Sequence, residues 1–349
     1  MKHVFSFFIA IVITGCTNNQ PDYLNKIAEL DDVEYKTFDI QQAKWGDTLE
    51  VSPWLNPEDA RQVAIQHLGD MTSFGVGYMI SDWARGNIFR VDKHAQLIDT
   101  LAKKGKGPGD FMNPAAISRF ITTEDTLYYV LDTGLNLLKK INSSGDIKEA
   151  WGHTSLPHSS WLNQLSITKK HVFWATQHIK ENVLIKAQLD GKVVGRTIDR
   201  LIPLGKQPYT YNSIVFDISM DETEMVFAYS GLPIIFYHNK ETKTAINLQP
   251  KKEIEDLNTP LEIMSENERV TVENLVRAVY LLSDDKLLVN YNSKIITLRT
   301  DGSRGRVNSL VANGEVVKFH KMIKVETYLF MINLFSGEIY RLELNKITK

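Results

Sequence analysis

A unit of about 40 residues recurs along this chain, and a repeat of that period restricts the fold more than any other feature. Each unit is a set of short apolar runs divided by polar turns. The first holds GYMISDW (77–83), NIFRVD (87–92) and QLIDTLA (96–102), and the second AISRFIT (116–122), TLYYVLD (126–132), NLLKKIN (136–142) and IKEAWG (147–152). Three more units follow, with VFWATQH (172–178), MVFAYSG (225–231) and LLVNYN (287–292) as their second runs. The last unit has KMIKVE (321–326), YLFMIN (328–333) and EIYRLEL (338–344), and then the sequence ends. Runs rich in Val, Ile, Tyr and Phe, separated by turn formers such as Asp190-Gly191 and Asp301-Gly302, read as strands joined by hairpins. The second run of each unit is the most continuously apolar, as a strand buried on both faces must be, and the fourth is the most polar.

That gradient predicts an all-β chain: a six-bladed β-propeller of four-stranded blades. The last unit shows only three strands, so an N-terminal strand is expected to complete the last blade and close the ring, drawn from residues 33–40 or 48–51. Residues 71–76 are expected as the innermost strand of the first blade. A polar start, Pro57 and apolar spacing predict a short helix within residues 56–68. The fifth unit is expected to end on VNSLVA (307–312) as a single outer strand.

The N-terminus carries a second message. Lys2 precedes a mostly apolar run over residues 4–13, which closes on Thr14, Gly15 and Cys16, the layout of a secretory signal. About ten apolar residues span only ~15 Å as a helix, half of a ~30 Å hydrocarbon core, so the run is too short for a permanent span. Ile13-Thr14-Gly15-Cys16 resembles the lipobox of bacterial lipoproteins, which implies a thioether-linked diacylglycerol on Cys16 and cleavage just before it. The expected organisation is a signal peptide (1–15), a lipidated Cys16 with a polar tether (16–32), and a propeller domain (33–349). Thr17, which is not acidic, is compatible with sorting to an outer membrane, with the domain facing the periplasm or the cell surface. Cys16 is the one cysteine of the 349 residues, so the folded part has no disulfide and no thiolate metal site. Loss of Lys2 on cleavage moves the formal charge from -2 to -3, and a nearly balanced chain offers no electrostatic footprint for nucleic acid. Membrane attachment is therefore assigned to the acyl chains at Cys16.

Between the first two units stands GKGPGDFMNP, residues 105–114. Gly105, Gly107, Pro108 and Gly109 dictate a tight turn, with the glycines expected to supply positive φ; Phe111 is expected to plug an apolar gap between sheets, and Pro114 to launch the next inner strand. The segment resembles the GxGPGxFxxP signature of NHL-type propellers and of the TolB-like, six-bladed propeller lipoproteins common in Bacteroidetes. Residues 128–147 and 78–98 resemble that family's strand, Asp, loop, strand, turn pattern. The resemblance covers the first two units and is only architectural beyond them. It implies fold and location more than activity.

Propeller topology puts the second-to-third and fourth-to-first strand connections on one face. The candidate ligand-binding residues there are Asp82, Trp83, Arg85, Asp132, Gln177, His178, Tyr229, Tyr291, Asn292, Asn333 and Phe335, a mixture suited to a sugar, peptide or other small polar ligand. For Asp82 and Asp132 the competing reading is a cap on the local turn. Long connections at 151–161, 203–212 and 250–270 are expected to enlarge this face. His153 and His158, five residues apart with no carboxylate partner, do not make a metal motif. No GxSxG elbow, HExxH, Walker loop or dinucleotide fingerprint occurs. No cofactor is expected. The expected function is a membrane-anchored binding or scaffolding propeller recognising a small polar ligand or an envelope protein. The alternative is a propeller hydrolase or lyase acting on a sugar or lactone.

Overall fold

The computed structural model describes residues 33–40, 43–46, 48–56, 65, 67–152, 164–175, 182–199, 213–249, 275–282, 285–334 and 336–348. The signal peptide, Cys16, the tether and most of the expected helix lie outside them, as do the long connections. Among the described residues no helix is long and apolar enough to cross a membrane.

Single hairpins of five to seven residues cannot bury two apolar faces, and here they stack as sheets around an axis. Sheet one runs Leu68–Phe74, Gly77–Asp82, Asn87–Val91, Leu97–Ala102. Sheet two runs Pro114–Ile121, Thr126–Asp132, Leu137–Asn142, Ile147–Gly152, and sheet three Leu165–Ile167, His171–Ala175, Asn182–Gln188, Val193–Asp199. Sheet four has Ile214–Ile218, Met225–Tyr229, Ile234–His238 and Lys243–Gln249; sheet five has Val276–Leu281, Lys286–Tyr291, Lys294–Arg299 and Gly305–Asn308. In the last sheet Lys321–Val325, Tyr328–Ile332 and Ile339–Glu343 are followed outward by Ser52–Leu55. Within each of these the neighbours named are antiparallel, and the second strand of sheet one is buried at every position. The first strands of these sheets flank one another around a central channel. This is a β-propeller with four-stranded blades.

The described strands make seven sheets, which corrects the expected six. The additional one is small: Leu310–Ala312 pairs with Glu315–Val316 and, in parallel, with Leu49–Glu50. VNSLVA was expected as one strand and is divided at Ser309. Val307 and Asn308 pair with Ile296 and Ile295 of sheet five, whereas Leu310 turns into the core between sheet five and the last sheet, against Leu288, Ile295 and Leu329. Burying that leucine takes the chain out of the plane of sheet five.

Neither stretch expected to complete the last sheet does so. From residues 33–40, Glu34–Asp39 lies parallel along the outer strand of sheet four, with Phe38 and Ile40 buried against Ile246 and Leu248. Next, Lys44–Trp45 lies parallel to the outer strand of sheet five, and Leu49–Glu50 joins the small sheet. The N-terminal segment is thus a belt along the outer rim, and the outer place in the last sheet goes to its next piece, Ser52–Leu55. A propeller rim offers unpaired backbone groups, and any extended strand that reaches them gains a ladder of hydrogen bonds.

At the junction of sheets one and two, Phe111 is fully buried among Met79, Ile88, Ile117, Tyr128 and Val130. Its N–H donates to the Lys103 carbonyl at 3.1 Å, and Gly107 N–H to Asp110 Oδ2 at 3.0 Å. The glycines do not supply positive φ: Gly105, Gly107 and Gly109 all lie outside that region. Close approach is what demands glycine at position 105, where a Cβ would collide with the Asp110 carboxylate. Pro114 begins the inner strand of sheet two.

Candidate functional site

Inner strands of a propeller splay from one another and cannot form a continuous ladder, so side chains must bridge the gaps. Asp70, on the inner strand of sheet one, accepts the Met71 N–H on one carboxylate oxygen (2.9 Å) and the Ile117 N–H of sheet two on the other (3.2 Å). Asp217 repeats the device between sheets four and five, accepting the Ile218 and Leu281 N–H groups, each at 3.0 Å. Gln164 bridges sheets three and four by accepting from Phe216 N–H at 2.9 Å while its amide donates to the Phe216 carbonyl. Two lysines of the last sheet complete the set: Lys321 donates to the Gly69 carbonyl, and Lys324 to Asp217 (3.3 Å) and the Leu281 carbonyl (2.8 Å).

These groups wall a cavity of about 560 Å³ that occupies the channel, a size suited to a small ligand. Its lining comes from the inner strands of sheets one to five and the last sheet, and runs from Gln164 and Arg277 to the turns bearing Met220, Leu282 and Glu326. Met220 is 53% exposed and marks the rim at that end. Burial is the largest influence on Asp70, pushing it up to about 6 against the opposing pull of Lys321 and two N–H groups. Burial likewise holds Lys321 below its ordinary range and Tyr280 above its own, the latter with its hydroxyl on the Met322 carbonyl at 2.8 Å. At the rim Arg119 meets Glu326 at 2.9 Å. Among the described residues no three His, Cys, Asp or Glu side chains stand close enough to hold a metal ion.

None of the candidate ligand-binding residues that the structure describes lines this cavity. Asp82 is fully buried and accepts N–H groups from His67, Ala84 and Arg85. Asp132, equally buried, accepts from Met112 and Asn113 and pairs with the buried Lys139 at 3.0 Å. Both carboxylates therefore cap the loops beside their own second strands. Trp83 is half-buried with its ring 5.0 Å from His67, and Arg85 is half-buried beside it. Tyr229 packs against Phe227 and Phe236, and Tyr291 lies in the core between sheets four and five. Asn333 accepts the Ser336 N–H in a turn. Gln177, His178 and Phe335 lie outside the described residues.

Sequence reasoning looked to loops and missed the inner strands. A signal was available: IVFDI and KMIKV place Asp217, Lys321 and Lys324 inside runs that the propeller reading requires to be inner strands, whereas Asp70 lies just before the expected 71–76, an inner strand that the structure places at Leu68–Phe74. A charge in such a strand must face the channel or another charge.

No family model matches the sequence, and no curated protein matches it. Solved structures do resemble its fold. A Bacteroides fragilis protein described as exported superposes with a TM-score of 0.52 at 10% identity, covering 88% of this chain and 98% of its own. A gluconolactonase of Xanthomonas campestris gives 0.52 at 9% identity, covering 87% and 92%. A Bacteroides vulgatus member of the family DUF4221 gives 0.49 at 10%, covering 86% and 94%. At these identities the likeness is one of fold.

Proposed function

We propose that this chain is an extracytoplasmic, lipid-anchored β-propeller that binds a small polar ligand in its central channel. The observation that carries the reading is the 560 Å³ cavity walled by polar and charged side chains from the inner strands, with its rim at Met220 and Glu326. Serine hydroxyls at Ser118 and Ser166 and the paired charges opposite them suit a ligand rich in hydrogen-bonding groups. The lipobox-like residues 13–16 and the fold likeness to a protein described as exported support the location, with Cys16 as the acylated residue and residues 17–32 as the tether.

Thermal-shift screening of a soluble form beginning at Thr17, against glycans, peptides, lactones and divalent ions, tests the channel. A ligand at 100 times its Kd is expected to add ~2.7 kcal/mol, and Ser166→Trp, which fills the cavity, is expected to abolish that gain. An undiminished shift in Ser166→Trp would move the site elsewhere, first to the loop-rich face bearing Trp83 and Arg85. Cys16→Ser is expected to release the protein from the membrane fraction. A hydrolase or lyase reading draws on Asp70, a channel carboxyl that burial pushes up to about 6, and on the fold shared with a gluconolactonase. It requires lactone or sugar turnover that Asp70→Asn removes.

A further inference from the structure

The charges of the channel are unevenly distributed along its axis. Height along that axis follows from the register of each inner strand with its second strand. Towards the end where the second strands finish lie Arg277, between the pairs Val276–Tyr291 and Ala278–Asn290, then Lys321 opposite Ile332 and Asp70 opposite Ser81. Towards the other end lie Asp217 opposite Val226, Lys324 opposite Leu329 and Arg119 opposite Tyr128, with Glu224 and Glu326 in the turns beyond. Two cations and one carboxylate therefore stand at the first end, and three carboxylates and two cations at the second. From Lys321 to Glu326 the strand advances by roughly 16 Å at ~3.3 Å per residue. A field of that polarity, focused between low-dielectric walls, selects a ligand with opposite charges at its two ends.

Resting on the reading that the channel is the binding site, we propose that it takes a short zwitterionic peptide, extended along the axis. Its α-carboxylate lies at the end of Arg277 and Lys321, and its α-ammonium at the end of Glu224 and Glu326. A peptide of about four residues is ~13 Å long at ~3.3 Å per residue, and with an ion-pair contact of about 3 Å at a terminus it spans the distance between the two ends, which a single amino acid does not. Between the termini, the Thr72, Ser118 and Ser166 hydroxyls line the wall beside the peptide groups.

Isothermal titration of the full-length protein in detergent tests this with tetra-alanine, its N-acetyl and C-amide forms, and maltotriose as an uncharged control. Tetra-alanine is expected to bind, and each capped form to bind about tenfold more weakly. Arg277→Gln is expected to weaken tetra-alanine without further weakening the C-amide, and Glu224→Gln to weaken it without further weakening the N-acetyl form. Arg277→Lys, which keeps the charge, restores the discrimination and separates a charge effect from a folding defect. No binding of tetra-alanine, or equal binding of capped and free forms, overturns the proposal. Binding of maltotriose alone that Ser166→Trp abolishes would overturn it while leaving the channel reading intact. Tetra-alanine binding that survives Ser166→Trp would overturn both.

Discussion

Sheets one to three and sheets four to the last differ at their outer edges, and the difference shows how a propeller manages its rim. The outer strands of sheets four and five are covered by Glu34–Asp39 and Lys44–Trp45, and their pairing with the third strand runs without a break in register. Among the described residues, no further strand lies beside the outer strands of sheets one, two and three. In each of these the register with the third strand shifts, at Ile88/Phe89 and Arg90/Val91, at Lys140/Ile141 and at Lys186/Ala187. In the last sheet Ser52–Leu55 is itself the outer strand, and its pairing shifts at Ile339/Tyr340. An edge that receives a strand must be straight enough to pair, while a bulge bends a bare edge away from foreign chains. Two seams join the halves. Asp70, Lys321 and Gly69 link the last sheet to sheet one; Gln164, with Glu222 on Thr168, His171 and Lys186, links sheet three to sheet four.

Deleting residues 338–344 should have the largest effect, because it removes a sheet strand and the partner of Ser52–Leu55 together. The expected outcome is loss of the cooperative thermal transition by circular dichroism; a retained transition would show that the belted half does not depend on its C-terminal strand. In the bare half, Asp132→Ala leaves Lys139 buried without its carboxylate and is expected to cost about 3–5 kcal/mol in urea titration. Glu149→Ala, which removes the exposed carboxylate partner of Lys140, should cost about 0–1 kcal/mol.

Phe111→Ala and Phe38→Ala contrast the two halves directly. Each removes a buried ring, worth about 3–5 kcal/mol when the surroundings stay in place. Phe111 sits between whole sheets and should show that full loss globally. Phe38 belongs to a single rim strand that can detach, so its removal is expected to cost less. Amide exchange should then rise over residues 34–39 while residues 117–131 stay protected, and global loss in Phe38→Ala would make the belt part of the cooperative unit.

The seams should respond to pH in opposite senses. Asp70, raised by burial to about 6, contributes stability that is fully present below the unfolded value of 3.8 and lost as pH rises through about 6. Glu222 feels burial raising it, but hydrogen bonds from Lys186, Thr168 and His171 outweigh that and lower it to about 2. Its contribution is present above the unfolded value of 4.5 and lost as pH falls towards about 2. Urea midpoints at pH 7, 5 and 3 should show Asp70→Asn removing the gain between pH 7 and 5, and Glu222→Gln removing the loss below pH 4.

Local chemistry was legible in the sequence. The second-strand runs, the turns at Gly191 and Gly302 and the plug at Phe111 each depend on residues near in the chain, whose periodicity and composition show directly what they do. The ends of Asp82 and Asp132 were legible as far as the turn, and both readings of them were open until their burial was known. The site was less legible. Asp70, Asp217, Lys321 and Lys324 look like isolated charges in separate strands, and nothing local says that they face one channel.

By itself, then, the sequence determined most strands of the four-stranded sheets and the device that joins sheets one and two, because apolar runs and the turns between them are set by neighbours in the chain. Only the tertiary structure decided the seven sheets, the belt and the channel. Parallel pairing of Glu34–Asp39 with Lys243–Gln249 rests on backbone groups that every residue carries, so no side-chain pattern announces it. The charge gradient of the channel likewise arises only when inner strands distant in sequence converge on one axis.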